Sequence, residues 1–149
     1  MIPVFFIQSI LQHATKIKDK SKDKFHKFLS NYFKFGLLTT LIIAIITCFF
    51  SDFIIEIFAD EKIDYSSKIL SLLSFIPFLA MLNFKNVVYM LVNDLKSKIN
   101  KATFYTLLLF LINSLILTNI YGGYGLAYSL LLTEIFSFLI HYFLINKKL

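Results

Sequence analysis

Apolar residues fall in four long runs, at 35–58, 66–92, 102–120 and 126–145, with charged residues gathered between them. Each run is close to or above the roughly 20 helical residues that cross a hydrocarbon core. The runs are continuous and far longer than the alternating segments of a barrel, which argues against strands. Polar residues do not recur through every run, as they would on the helices of a soluble bundle. The pattern predicts an all-α, polytopic membrane protein, with four transmembrane helices in a single membrane domain over 1–149.

Two segments precede the first run. Residues 1–12 hold a short apolar stretch, 2–11, that cannot span and is followed by lysines, the reverse of a signal peptide. It reads as a helix stub, the last turns of a membrane helix begun further upstream, with a short re-entrant or surface helix as the alternative. In the basic linker 13–34, Phe25, Phe28, Leu29, Tyr32 and Phe33 recur at helical spacing, with Lys24, Lys27, Ser30 and Asn31 opposite. That predicts an amphipathic cytoplasmic linker helix in the headgroup layer, its lysines toward anionic lipid. The alternative is a solvated linker whose aromatics belong to the first transmembrane helix.

Lysine placement sets the orientation. Lys16, Lys18, Lys20, Lys22, Lys24, Lys27 and Lys34 precede the first run, Lys96, Lys98 and Lys101 lie between the second and third, and Lys147 and Lys148 end the chain. If the four helices alternate, these twelve share one side, and only Lys62 and Lys68 lie on the other, beside Asp60, Glu61 and Asp64. Basic loops stay cytoplasmic, so the N-terminal basic segment and the C-terminus are expected on the cytoplasmic side of the membrane. The net charge of +6 is therefore explained by membrane lipid as partner, and nucleic acid is not.

Composition adds little chemistry. Charged residues are 16% of the chain and hydrophobic ones 58%, and Cys48 is the lone cysteine, so no intrachain disulfide can form. There is no Gly-rich phosphate loop, no nucleophile–base arrangement and no Cys/His spacing for a metal. No cofactor, no metal and no enzymatic role are expected.

The informative residues are polar groups inside apolar runs. Gly36, Thr40, Ala44 and Cys48 stand four apart, a small-residue spacing that lets helix backbones approach, unless it is chance in an apolar sequence. Asp52 and Glu56 continue toward the outer end and are expected to be solvated. In the second run Ser67, Ser71, Ser74, Lys85 and Tyr89 share a broad face, and Pro77 should bend the helix. Lys85 lies ~11 Å from the cytoplasmic end, at 1.5 Å per residue, and either snorkels or faces inward as a cationic site. Asn113, in the third run with Thr106, Ser114 and Thr118, is near mid-depth and fits interhelical packing.

Glu134 is the sharpest of these. It stands ~13 Å into the last run, near the middle of a core ~30 Å thick. An ionised group there costs on the order of 3 kcal/mol on insertion scales, against ~0.3–0.6 returned by each Leu, Ile or Phe. The run still inserts, but a short Glu stem cannot snorkel, so the carboxyl must face other helices or a watery cavity. Thr133, Ser137 and His141 lie on nearly the same face. Glu134 is either a proton carrier or a protonated packing residue, and His141 fits the inner interface better than a relay.

In order along the chain, "IIEIFADEKIDYSSKIL", "SFIPFLAMLNFKNVVYML" with its mid-span Asn-Phe-Lys, and "NSLILTNIYGGYGLAYSLLLTE" follow a lysine-rich connection. This succession resembles the C-terminal third of bacterial polysaccharide repeat-unit flippases of the O-antigen type, in the multidrug/oligosaccharidyl-lipid/polysaccharide exporter superfamily. The Tyr-Gly, Gly-small and Glu succession of 121–134 carries most of the likeness. The resemblance implies two six-helix lobes around a cavity, alternating access, an undecaprenyl-diphosphate-linked oligosaccharide as substrate, and an ion gradient as the drive for return. It implies a cationic role for Lys85 by position, with Glu134 and Asn113 as the other candidates on a substrate or ion pathway. Four helices and a stub do not enclose such a cavity, so the chain is expected to act with the remaining part of a split or longer flippase. The other reading is a small non-catalytic membrane protein that packs with partners.

Overall fold

The structure is a computed structural model that describes residues 11, 13–18 and 20–146. The predicted stub at 1–12 lies outside the described residues except for Leu11, as do the tail lysines Lys147 and Lys148. The described chain is helical: residues 13–18, then α1 (Lys22–Phe49), α2 (Ser51–Ala59), α3 (Asp64–Leu73), α4 (Ile76–Val92), α5 (Lys96–Tyr121) and α6 (Gly123–Asn146). There is no strand among the described residues. Among the described residues four helical stretches are long and apolar enough to cross a membrane: α1, α3–α4 taken together, α5 and α6.

The basic segment joins the first span without a break. Ser21 sits in extended backbone, φ −168° and ψ 126°, and its hydroxyl accepts from the Lys24 N–H, with Asp23 in the first turn. These are ordinary helix-start features. From there one helix of 28 residues runs to Phe49, so linker and span are one element. The helix pauses at Phe50, φ −98° and ψ 14°, before α2.

The aromatic stripe of this segment packs in part against the chain itself. Phe25 and Leu29 are buried with Ala14 and Val88, and Ile17, Phe28, Phe84, Tyr89 and Val92 close around them. Tyr32 stacks on Phe84 at 6.4 Å and His26 on Tyr89 at 6.3 Å between ring centroids. The stripe is the face by which α1 holds the last turns of α4, so the aromatics belong to the first long helix. Lys18 tightens the same corner, its ammonium donating to the Val92 carbonyl at 2.9 Å, a cation at a helix C-terminus.

Pro77 stands where the second apolar run is interrupted. α3 ends at Leu73, Ser74 caps back onto Leu70, and α4 restarts at Ile76 with the proline in its first turn. There its missing N–H has no intrahelical partner to lose.

The long helices lie in a row, α1, then α3–α4, then α6, then α5, with α4 and α6 as the inner pair. Gly36, Thr40, Ala44 and Cys48 lie along the face that α1 turns to this row. Gly36 is covered by the Met81 side chain, Ala44 is fully buried, and Cys48 Sγ is 3.0 Å from Ser71 Oγ. The outward faces stay apolar, with Phe35, Leu38, Ile42, Ile46 and Phe49 exposed on α1 and Leu107, Leu111, Leu115 and Ile116 on α5. Surfaces of that kind suit lipid or further helices.

Candidate functional site

The inner face of α6 is a column of small and polar residues. Gly125, Ser129, Thr133, Ser137 and His141 stand four apart and are all buried. Four residues advance a 3.6-residue helix by one turn plus about 40°, so the column winds slowly around α6. At its start Gly125 lies against the α5 backbone at Leu117 and Thr118. At its end Ser137 and His141 face α4. The intervening hydroxyls satisfy themselves along the helix, Ser129 donating to the Gly125 carbonyl at 2.8 Å and Thr133 to the Ser129 carbonyl at 2.7 Å. The spacing rule that singles out Gly36–Cys48 applies equally here, and the sequence reading took in only its last three members.

Where the column meets α4 there is a polar knot. Asn83 Nδ2 donates to Ser137 Oγ at 2.8 Å and lies 3.2 Å from His141 Nδ1, which is 2.8 Å from the Ser137 carbonyl. All three side chains are buried. His141 is thus buried in the row as a helix-packing residue. In the sequence Asn83 stands out only as part of Asn-Phe-Lys, since an isolated amide in an apolar run carries no periodic signal.

Glu134, at the midpoint of α6, is half-buried and lines an open groove of about 330 Å³ between α5 and α6. Thr103, Thr106, Leu107 and Phe110 of α5 form one wall, and Thr133, Ser137 and His141 stand beside the acid. The carboxyl has no hydrogen bond or ion pair among the described residues. Thr106 Oγ1 is buried without a partner, as are Asn83 Oδ1 and Asn86 Nδ2. Each such unmet group costs about 1–3 kcal/mol.

The three pathway candidates are not brought together. Lys85 has an exposed side chain on α4 and lines neither this groove nor the others described. Asn113 is half-buried and lines a separate groove with Tyr105, Leu108, Leu109, Ile112 and Ile140. The site that the structure assembles is Glu134 with Thr106, Ser137, His141 and, behind them, Asn83.

At the opposite end of the row from the lysine-rich segments, the Tyr-Gly-Gly-Tyr-Gly stretch makes a tight hairpin. Gly122 has φ +59°, a conformation that side chains disfavour, and closes α5 before α6 begins at once with Gly123. Tyr65 of α3 reaches over, its hydroxyl accepting from the Gly123 N–H at 2.9 Å and its ring meeting Tyr124 at 4.8 Å.

Comparison with curated proteins gave no match, and comparison with solved structures gave none either. The family model described as "Polysaccharide biosynthesis protein" matches residues 6–149. That match takes in all four long apolar helices and the polar site between them, and the chain is a membrane protein of this polysaccharide biosynthesis family.

Proposed function

We propose that the chain works as the C-terminal portion of a flippase that carries undecaprenyl-diphosphate-linked oligosaccharide units across the bacterial inner membrane by alternating access. The family supports a transporter-like role in polysaccharide biosynthesis. The observation that carries the finer reading is the mid-span groove holding Glu134, with the Thr106 hydroxyl buried and unpaired in its wall. A chain kept only for helix packing gains nothing from those groups, whereas a transporter needs a wettable, rearranging site in its core. In this reading Glu134 carries the coupling proton. Lys85, exposed on α4, faces the remaining helices and offsets the diphosphate. The basic end lies in the cytoplasm, in keeping with the lysine bias.

The test is export of lipid-linked sugar in cells that produce the chain together with the rest of its transporter. Glu134→Gln should slow export about tenfold or more, a barrier change of ~1.4 kcal/mol. Lys85→Ala should slow it as well. Normal export in both variants would remove the pathway assignment and leave a packing protein as the better description.

A further inference from the structure

The hairpin end carries a second concave site that the groove around Glu134 does not use. Tyr121, Tyr124 and Tyr128 line a cleft of about 470 Å³ with Lys68, Ser71 and Leu72. That volume lies within the ~300–1,000 Å³ of small-molecule sites. The rings are held in place by the protein. Tyr121 and Tyr128 meet edge to face at 6.2 Å and 84°, and Tyr124 is braced by Tyr65, itself tied to the Gly123 N–H. An interfacial aromatic belt spreads such residues around a protein's circumference. Here three converge on one opening.

We infer that this cleft binds the neutral sugar portion of a glycan. The π faces of tyrosine are negative and attract the polarised C–H bonds on the apolar face of a pyranose ring. The phenol hydroxyls, the Ser71 hydroxyl and the Lys68 ammonium supply donors and acceptors around the ring's edge. Tyrosine loses little conformational freedom in doing so, since only two torsions are fixed. Lys68 is the one charged residue among the lining, and at this end Asp52, Glu56, Asp60, Glu61 and Asp64 outnumber Lys62 and Lys68, so the surrounding field is negative. That field disfavours the approach of a dianion and leaves an uncharged ring unaffected. Lys68, exposed and without an ion pair among the described residues, is available to hydrogen-bond hydroxyls. The choice of a glycan rests on the proposed function, and the cleft would hold the saccharide at the end of the row opposite the lysine-rich segments.

The experiment is saturation-transfer difference NMR on the full chain in lipid nanodiscs. The probes are N,N′-diacetylchitobiose and maltotriose as neutral sugars, glucose 1-phosphate as an anionic one, and glycerol 3-phosphate as a lipid-headgroup mimic. At least one neutral sugar should give saturation-transfer signals stronger than either phosphate does. Tyr121→Leu, Tyr128→Leu and the surface variant Lys68→Gln should each weaken binding, the tyrosine changes about fivefold, the scale of one lost aromatic contact. Tyr142→Leu, at the other end of α6, should change nothing. Silence from both neutral sugars, equal signals from glycerol 3-phosphate, or signals that survive all three cleft substitutions would overturn the inference. If the sugar signals vanish while export still depends on Glu134, the cleft is lost and the flippase stands. If they persist while export ignores Glu134 and Lys85, the cleft stands without the pathway.

Discussion

Gly125→Ala is expected to cost the chain about 3 kcal/mol, the upper part of the range for overpacked sites. A Cβ at this position would run into the Leu117 carbonyl and the Thr118 nitrogen, which are backbone atoms of α5. Neither can swing aside, so α5 and α6 must separate along the hairpin that positions Glu134. Gly36→Ala makes the natural control. There the added methyl meets only the end of the Met81 side chain. A thioether with three rotatable bonds can move, and the expected loss stays below about 1 kcal/mol. Unfolding in mixed micelles with increasing SDS, followed by circular dichroism, measures both. Equal and small losses would mean that the hairpin is not packed as described.

Leu29→Ala should be nearly as damaging. Leu29 is fully buried among Phe25, Ala14 and Val88. Removing a leucine side chain from such a site costs about 2–5 kcal/mol, because a cavity replaces the lost contacts. A residue lying in headgroups would lose little, within about 0.5 kcal/mol as at most surface positions. The same unfolding titration therefore decides between the two environments of the 13–34 segment. A loss of less than about 0.5 kcal/mol would restore the headgroup reading.

Much of the architecture was legible because crossing a bilayer imposes length and continuity on apolar runs. Breaks within runs were legible only where the sequence supplies a covalent reason. Pro77 marks the interruption between α3 and α4, while Phe50 marks the pause after α1 with nothing that distinguishes it from its neighbours. The union of linker and span in Lys22–Phe49 follows from the same limit, since no glycine or proline stands between Lys22 and Phe35 to end a helix.

The candidate site was legible residue by residue but not as an assembly. Periodicity assigns Glu134, Thr133, Ser137 and His141 to one side of their own helix. It does not say which helix lies opposite, because lipid-facing and protein-facing surfaces are both apolar and leave no amphipathic stripe to align. That α4 meets His141 through Asn83, and that Thr106 rather than Asn113 stands across from Glu134, are tertiary facts. Lys85 is a charge in an apolar run, yet its exposure places it outside the knot two residues away. The small-residue column of α6 was open to detection, since Gly125 and Ser129 continue the spacing of Thr133 and Ser137.

Everything about the site depends on four crossings with the lysine-rich end on one side. With Cys48→Ser as background, Asp60→Cys and Ser97→Cys place single thiols at opposite ends of the row. An impermeant maleimide is applied to spheroplasts and to inverted vesicles. The Asp60→Cys protein should be labelled in spheroplasts only, and the Ser97→Cys protein in inverted vesicles only. Labelling of both from the same side, or of the Ser97→Cys protein in intact spheroplasts, would contradict the threading on which the site is built.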